Sequence, residues 1–395
     1  MIEKELKING MIFLIKCEFS VVCPKIKGNY MKIFYSAYTC QGNIGDLLIN
    51  KYQIEEYSKY ADVYVDLSGM PDSFRDVIID NKNTHVHDFV KTYRLTYRGK
   101  NMFRVLWLLR REGFTHFTKS PGPYAVLTLP LKVFLKRLLG AFGYWFARKL
   151  GMKVFALGVD VNFENCSFLL KELNVRYFKV YNLLGVRSKF NENVLLKKNI
   201  NSAVYCPDMA FLCSDFKKFN NNIRKKIALS FRKVENVSNL LLILKNTCSY
   251  FKELGYDIEV LYQVEEDKYF CKELSKSLAE YSVIYIDNML TFEKLKEYEK
   301  YDYVFSNRLH VLLMGVMHGA IPFAIVSRDK KEKKIIDMWN NVFDSHYYMY
   351  LDESPDKIKS FLAEDLNKLK ENVYNKALVQ NTLCKIQIKK VFVIS

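Results

Sequence analysis

From Met31 onward, short apolar runs alternate with longer amphipathic ones, and this alternation constrains the fold more than any other feature of the chain. Lys32–Tyr38, Val63–Leu67, Lys153–Leu157 and Ala203–Cys206 read as strands, with helical patterns between them at Met102–Glu112 and Pro130–Leu150. Strands separated by helix-length connections imply a parallel sheet, because a parallel pair needs a crossover that also covers the sheet face. The pattern restarts after the polar, basic stretch Ser214–Lys226. Strands are then expected at Ile227–Phe231, Ile258–Tyr262, Val283–Ile286, Tyr303–Phe305 and Pro322–Ile325. Helices fit Ser238–Leu254, Asp267–Glu280, Thr291–Glu299 and Leu309–His318. The expectation is an α/β protein of two Rossmann-like domains facing a cleft, residues 31–216 and 217–395, with residues 1–30 as an N-terminal extension. Sheets of this kind bind ligands at the carboxyl ends of their strands.

The length of 395 residues agrees with two domains, since single cores stop growing at roughly 250–300 residues. Met31 opens directly into a strand. Residues 1–30 therefore read as the product of an upstream start codon or as an added hairpin.

The formal net charge is +17. Nucleic acid, an anionic membrane and acidic substrates would each suit such a balance, as would a lysine-rich source with no functional meaning. No zinc-finger spacing or RNA-binding aromatic signature is present, so no nucleic-acid partner is expected. The nine cysteines include no CxxC pair, which fits a reducing, cytoplasmic compartment. The six histidines form no HExxH pattern, and no metal site is expected. Charges interrupt both apolar stretches, at Lys16 and Glu18 in one and at Lys132, Lys136, Arg137, Arg148 and Lys149 in the other. Neither reaches the roughly 18 apolar residues of a spanning helix. Pro123–Leu150 mixes Phe134, Leu138, Leu139, Phe142, Trp145 and Phe146 with those basic residues. It reads as a peripheral contact with the inner face of the cell membrane or as a helix packed on the sheet.

Two loops stand where ligands bind. GNIGD, Gly42–Asp46, joins the first strand to its helix. Gly42, Asn43 and Gly45 would let backbone approach a ligand at a helix amino terminus; the alternative is a tight turn with Asp46 as its N-cap. SNRLH, Ser306–His310, joins the strand YDYVF to an apolar helix. It presents Asn307, a bidentate cation in Arg308 and a proton-transfer group in His310; the bland alternative is a loop tie and a helix cap. His318 reads as a C-terminal cap. Arg232 and Lys233 end the strand Ile227–Phe231. Arg328, Lys330, Lys331, Lys333 and Lys334 form a basic loop from which one member could reach the cleft.

GNIGD together with SNRLHVLLMGVMHGAIPFAI resembles the polysaccharide pyruvyl transferases. VRSKFN (Val186–Asn191), CPDMAF (Cys206–Phe211) and VEEDKYF (Val264–Phe270) are similar to further family segments. VRSKFN lacks the family's usual Asp after its Arg, and SPGP (Ser120–Pro123) stands where a glycine-rich loop is common. The resemblance implies a GT-B-like arrangement with residues 31–216 on the acceptor side and 217–395 on the donor side. It implies transfer of the pyruvyl group of phosphoenolpyruvate onto a sugar of a surface polysaccharide, such as capsule or O-antigen, or onto a lipid-linked precursor, as a cyclic ketal. Phosphoenolpyruvate is then a co-substrate, and no cofactor is required. His310 and Asp46 become the catalytic pair, and Arg308, Arg232, Asn307 and Lys334 the donor-binding set. Gly42, Asn43 and Gly45 shape the acceptor side. A nucleotide-sugar glycosyltransferase and a catalytically silent glycan-binding relative remain as alternatives.

Overall fold

The computed structural model of the protein describes residues 4–8, 11–15, 31–38, 43–79, 82–87, 101–124, 131–161, 167–213, 222–287, 291–329 and 332–393, with backbone alone described at 4–8, 11–15, 69 and 131–137. Gly42, Lys330, Lys331 and most of Ser214–Lys226 lie outside those residues, as do the side chains of Lys132, Phe134, Lys136 and Arg137. Strands β1 (Lys4–Ile8) and β2 (Met11–Ile15) pair as an antiparallel hairpin, the second of the two readings of the extension. Residues 1–30 form one compact unit and Met31–Ser395 another.

The larger unit holds two parallel sheets, each with helical crossovers. The first comprises β3 (Lys32–Tyr38), β4 (Asp62–Gly69), β5 (Thr84–Val86), β6 (His116–Lys119), β7 (Gly122–Pro123), β8 (Lys153–Asp160), β9 (Leu183–Val186) and β10 (Ala203–Tyr205), in the order β10-β9-β8-β6-β3-β4-β5 with β7 beside β8. The second comprises β11 (Lys226–Ser230), β12 (Asp257–Val260), β13 (Ile284–Tyr285), β14 (Tyr303–Ser306), β15 (Ile321–Val326) and β16 (Tyr348–Tyr350), in the order β13-β12-β11-β14-β15-β16. The direction of winding reverses between β3 and β6 in one sheet and between β11 and β14 in the other. Those reversals leave crevices at the strand ends. GNIGD follows β3, and Arg232 and SNRLH follow β11 and β14, so the two singled-out loops stand at the switch points.

Central strands are buried along most of their length, as parallel strands covered on both faces should be, and every residue of β15 is buried. The strands that sequence reading missed are short. β9 merges by composition into the apolar end of the preceding helix, Phe168–Phe178, and β6 carries His116 and Thr118. The segment expected as a helix at Thr291–Glu299 is a 3₁₀ helix over Phe292–Lys300.

The longest element, the helix Leu366–Val393, was not anticipated. Lys370, Gln380, Asn381 and Gln387 interrupt its buried face, which breaks up the apolar stripe that would announce it. Lys370 pairs with buried Asp302 beneath the second sheet. Farther along, Tyr205 Oη donates to Gln380 Oε1 at 2.9 Å, and Gln387 Nε2 donates to the Tyr205 carbonyl at 3.0 Å. Phe392 then stacks on Tyr60 at 5.0 Å. A boundary at residue 216 assigns this helix to the second sheet, yet its final turns pack on the first.

Candidate active site

The first sheet contributes a buried ion pair. β9 ends at Val186 and Arg187 follows, with Ser188 capping the helix Lys189–Lys197. β10 ends at Tyr205, and Asp208 follows two residues after Cys206. Asp208 is fully buried. Its Oδ1 accepts from the Ala210 amide at 2.9 Å, and its Oδ2 lies 2.9 Å from Arg187 Nη1 and 3.7 Å from His310 Nε2. Arg187 Nε donates to the Gly158 carbonyl at 2.6 Å. A buried carboxylate is costly unless it is paired and hydrogen-bonded. Burial pushes the Asp208 carboxyl up, but Arg187, His310 and the Ala210 amide more than offset this and hold it below the usual carboxylate range. Asp208 therefore stays ionised, as a fixed negative charge facing an imidazole.

That imidazole comes from the second sheet. His310 lies in the first turn of the helix Leu309–Met317, just beyond β14. Its ring rests against the backbone of Gly45: a Cβ there would fall 2.2 Å from His310 Nδ1 and 2.6 Å from Cγ. Only glycine permits this approach. Asn43 caps the helix Ile44–Ser58 by accepting from the Gly45 amide at 3.1 Å, and it also forms a backbone bridge with Val264. Asn43 thus fills the capping role considered for Asp46. Asp46 sits in the first turn, half-buried.

A wall of cations surrounds this contact. Arg308 donates from Nε to Asp267 Oδ2 at 2.8 Å and from Nη2 to Asp267 Oδ1 at 2.6 Å. Burial pushes the Asp267 carboxyl up, and the Arg308 fork opposes that shift. Arg232 donates from Nε and Nη2 to Glu332 Oε1 at 3.2 and 3.1 Å. In both arginines two of the five donors sit on a carboxylate, which fixes the guanidinium. Asn307 is buried. It accepts from the Arg232 amide at 2.9 Å and donates to the Arg232 carbonyl and to Glu332 Oε1, so it ties the ends of β11 and β14 together and sets Arg232.

Lys334, in the first turn of the helix Lys333–Val342, lines a small, open recess together with Asp160, Arg187, Ser188, Asn191 and Leu309. The recess lies between the strand ends of the two sheets. Lys334 is exposed, so its side chain stands at the rim of the recess, with protein crowding its ammonium. Its pKa is pushed down, first by desolvation and then by Arg187, with Arg232 and Arg308 adding to the effect and Asp160 opposing it. Two other described members of that basic loop are engaged elsewhere. Arg328 pairs with Asp352 over the Tyr350 ring, and Lys333 lies over Phe190.

The structure therefore brings Gly45, Arg232, Asn307, Arg308, His310 and Lys334 to one cleft. Sequence reasoning passed over Arg187 and Asp208 as site residues, although both stand in the quoted stretches VRSKFN and CPDMAF. The available signal was position: each is the first charged residue after its strand's apolar run. His318, read as a cap, does cap its helix through Nδ1 and the Met314 carbonyl, 2.9 Å apart. In SPGP, Gly122 and Pro123 form β7, and Ser120 Oγ donates to Asn50 Oδ1 at 2.6 Å. Among the described residues no group of three His, Cys, Asp or Glu side chains could hold a metal ion.

Residues 43–330 match the family model described as polysaccharide pyruvyl transferase. The chain belongs to that family. No curated protein matches the sequence. The fold of this transferase is shared with a glycosyltransferase from Rickettsia africae (TM-score 0.58, 11% identity, covering 92% of this chain and 98% of that one). It is shared equally with the UDP-GlcNAc 2-epimerase from Neisseria meningitidis (TM-score 0.57, 12% identity, 92% and 98%). A Thermobaculum terrenum O-GlcNAc transferase mutant also matches (TM-score 0.52, 12% identity, 92% and 67%). At such identities the likeness is one of architecture: two parallel α/β sheets in a GT-B-like arrangement. The pyruvyl transferase match takes in Gly45, Arg187, Asp208, Arg308 and His310.

Proposed function

We propose that this protein transfers the pyruvyl group of phosphoenolpyruvate to two hydroxyls of a sugar in a surface polysaccharide or its lipid-linked precursor, forming a cyclic ketal and releasing phosphate. The observation that carries this reading is the convergence of Arg187, Arg232, Arg308 and Lys334 around His310, which is itself held between Asp208 and Gly45. Phosphoenolpyruvate carries a phosphate and a carboxylate on a three-carbon frame. Orienting it takes several fixed cations, which also stabilise charge as the phosphate departs.

The steps follow from the chemistry. A proton is added to the methylene carbon, and the adjacent carbon becomes electrophilic. One sugar hydroxyl attacks and loses its proton, the bond to the phosphate oxygen breaks, and the second hydroxyl closes the ring as it loses its own. His310, facing the Asp208 carboxylate across 3.7 Å, is suited to deliver the first proton. Asp46, on the facing helix, is suited to receive one from the acceptor. Lys334 and Arg187 line the recess, and Arg232 and Arg308, within electrostatic reach of Lys334, add positive charge to hold the anion.

The test is to incubate the protein with a panel of free and lipid-linked oligosaccharides and either phosphoenolpyruvate or nucleotide sugars, and to read the acceptor by mass spectrometry. A pyruvyl adduct that needs phosphoenolpyruvate supports the proposal. A glycosyl adduct formed from a nucleotide sugar alone refutes it.

A further inference from the structure

The helices Met102–Arg111 and Leu131–Lys149 pack side by side on the first sheet. Met102 lies against Gly143, and Phe103 meets Phe146 edge to face at 5.5 Å. Their inner faces bury Val105, Leu106, Leu109, Tyr144 and Ala147 in the core, as a covering helix pair should. Their outer faces are not those of an ordinary covering pair. Trp107 is 45% exposed, Phe142 53% and Trp145 50%, and Leu139 is exposed beside them. Leu139, Phe142 and Trp145 recur every three residues and so share one arc of their helix. Large aromatic side chains are expensive to leave in water, and a cluster of them on adjoining helices marks a surface that meets something apolar.

The charges around this patch state what that is. Arg104, Arg111, Arg148 and Lys149 are exposed on the same two helices. Arg111 lies over the Trp107 ring at 4.8 Å and Lys149 over the Trp145 ring at 5.7 Å. Tryptophan held beneath basic side chains suits the boundary between anionic headgroups and acyl chains, where the ring is half-solvated and the cations meet phosphate. Among the described residues no helix is long and apolar enough to cross a membrane, so contact would be in the plane of the surface. The net charge of +17 adds long-range attraction to the same target.

We infer that the outer face of these two helices is a docking surface for an anionic lipid bilayer, into which Trp107, Phe142 and Trp145 insert at headgroup depth. This stands apart from the proposed reaction, because none of these residues belongs to the site around His310.

Co-sedimentation with vesicles tests it, using phosphatidylglycerol mixed with phosphatidylcholine against phosphatidylcholine alone, at low and raised salt. The full chain should pellet with the anionic vesicles, and binding should fade with salt. Phe142→Ser with Trp145→Ser, and separately Arg104→Gln with Arg111→Gln and Lys149→Gln, should each weaken binding by on the order of tenfold or more. Because all these side chains are exposed, both variants should keep the wild-type unfolding transition, and the charge variant stands as a test even if the apolar one misfolds. Equal recovery in the supernatant with both lipids overturns the inference, as does wild-type binding by both variants. A lipid-free dimer in sedimentation velocity that the apolar substitutions dissociate also overturns it, by assigning the face to a second copy of the chain.

Discussion

His310 is held by contacts that a substitution can separate. His310→Gln keeps a hydrogen-bonding side chain against Asp208 and removes proton transfer. Pyruvyl transfer should fall by about 10²–10⁴-fold in kcat with little change in KM for phosphoenolpyruvate, measured in steady state. Gly45→Ala is the complementary change. Its Cβ overlaps the imidazole, so the ring must move, and displacement of a reacting group by about 1 Å costs roughly 10²-fold. Arg308→Ala alone is a poor probe, since it strands buried Asp267 without its partner, at about 3–5 kcal/mol of stability. Arg308→Gln combined with Asp267→Asn removes both charges. It should fold and yet bind donor about ten- to hundredfold more weakly, by titration calorimetry. Lys334 has a lowered pKa, so its charge, and the donor affinity it supplies, should fade as pH rises into a range below that of an ordinary lysine. Lys334→Gln should flatten that alkaline decline in a pH series of donor affinity.

At the scale of elements, the helix Leu366–Val393 and the first sheet meet at His116, which is buried between Phe155 and Phe392. Desolvation first, and then Lys153, lower its pKa from 6.5 to about 4. The unfolded chain therefore binds a proton that the folded one refuses throughout that interval. The stabilisation is whole above pH 6.5 and is lost as pH falls toward 4, by about 3 kcal/mol in all. His116→Phe should flatten this part of the pH–stability curve in denaturant titrations; an unchanged slope would locate the dependence elsewhere. Deleting residues 1–30 should leave the unfolding midpoint of the remainder unaltered, because Met31–Ser395 is a compact unit by itself. The central strands and most crossovers were legible because parallel strands are apolar on both faces and their helices are striped. The C-terminal helix was not, since Lys370, Gln380, Asn381 and Gln387 are buried in place of apolar residues and make hydrogen bonds that sequence does not display.

For the whole molecule, the site exists only where the two sheets meet. His310 and Arg308 come from one, Gly45, Arg187 and Asp208 from the other, and residues separated by more than a hundred positions in sequence touch across the cleft. This is why the sequence disclosed the loops after β3 and β14 but not the buried pair between them. Each loop shows a local pattern, whereas the Arg187–Asp208 contact depends on how β9 and β10 are placed. The direct measurement is to supply phosphoenolpyruvate isotopically labelled at its central carbon, with an acceptor glycan, and to follow the label by carbon NMR in the wild type and in His310→Gln. The label should pass to a quaternary carbon bonded to two sugar oxygens, with one phosphate released per transfer in the wild type and almost none in the variant. Label that stays in phosphoenolpyruvate or appears as free pyruvate, or ketal formation at the wild-type rate in His310→Gln, would contradict it.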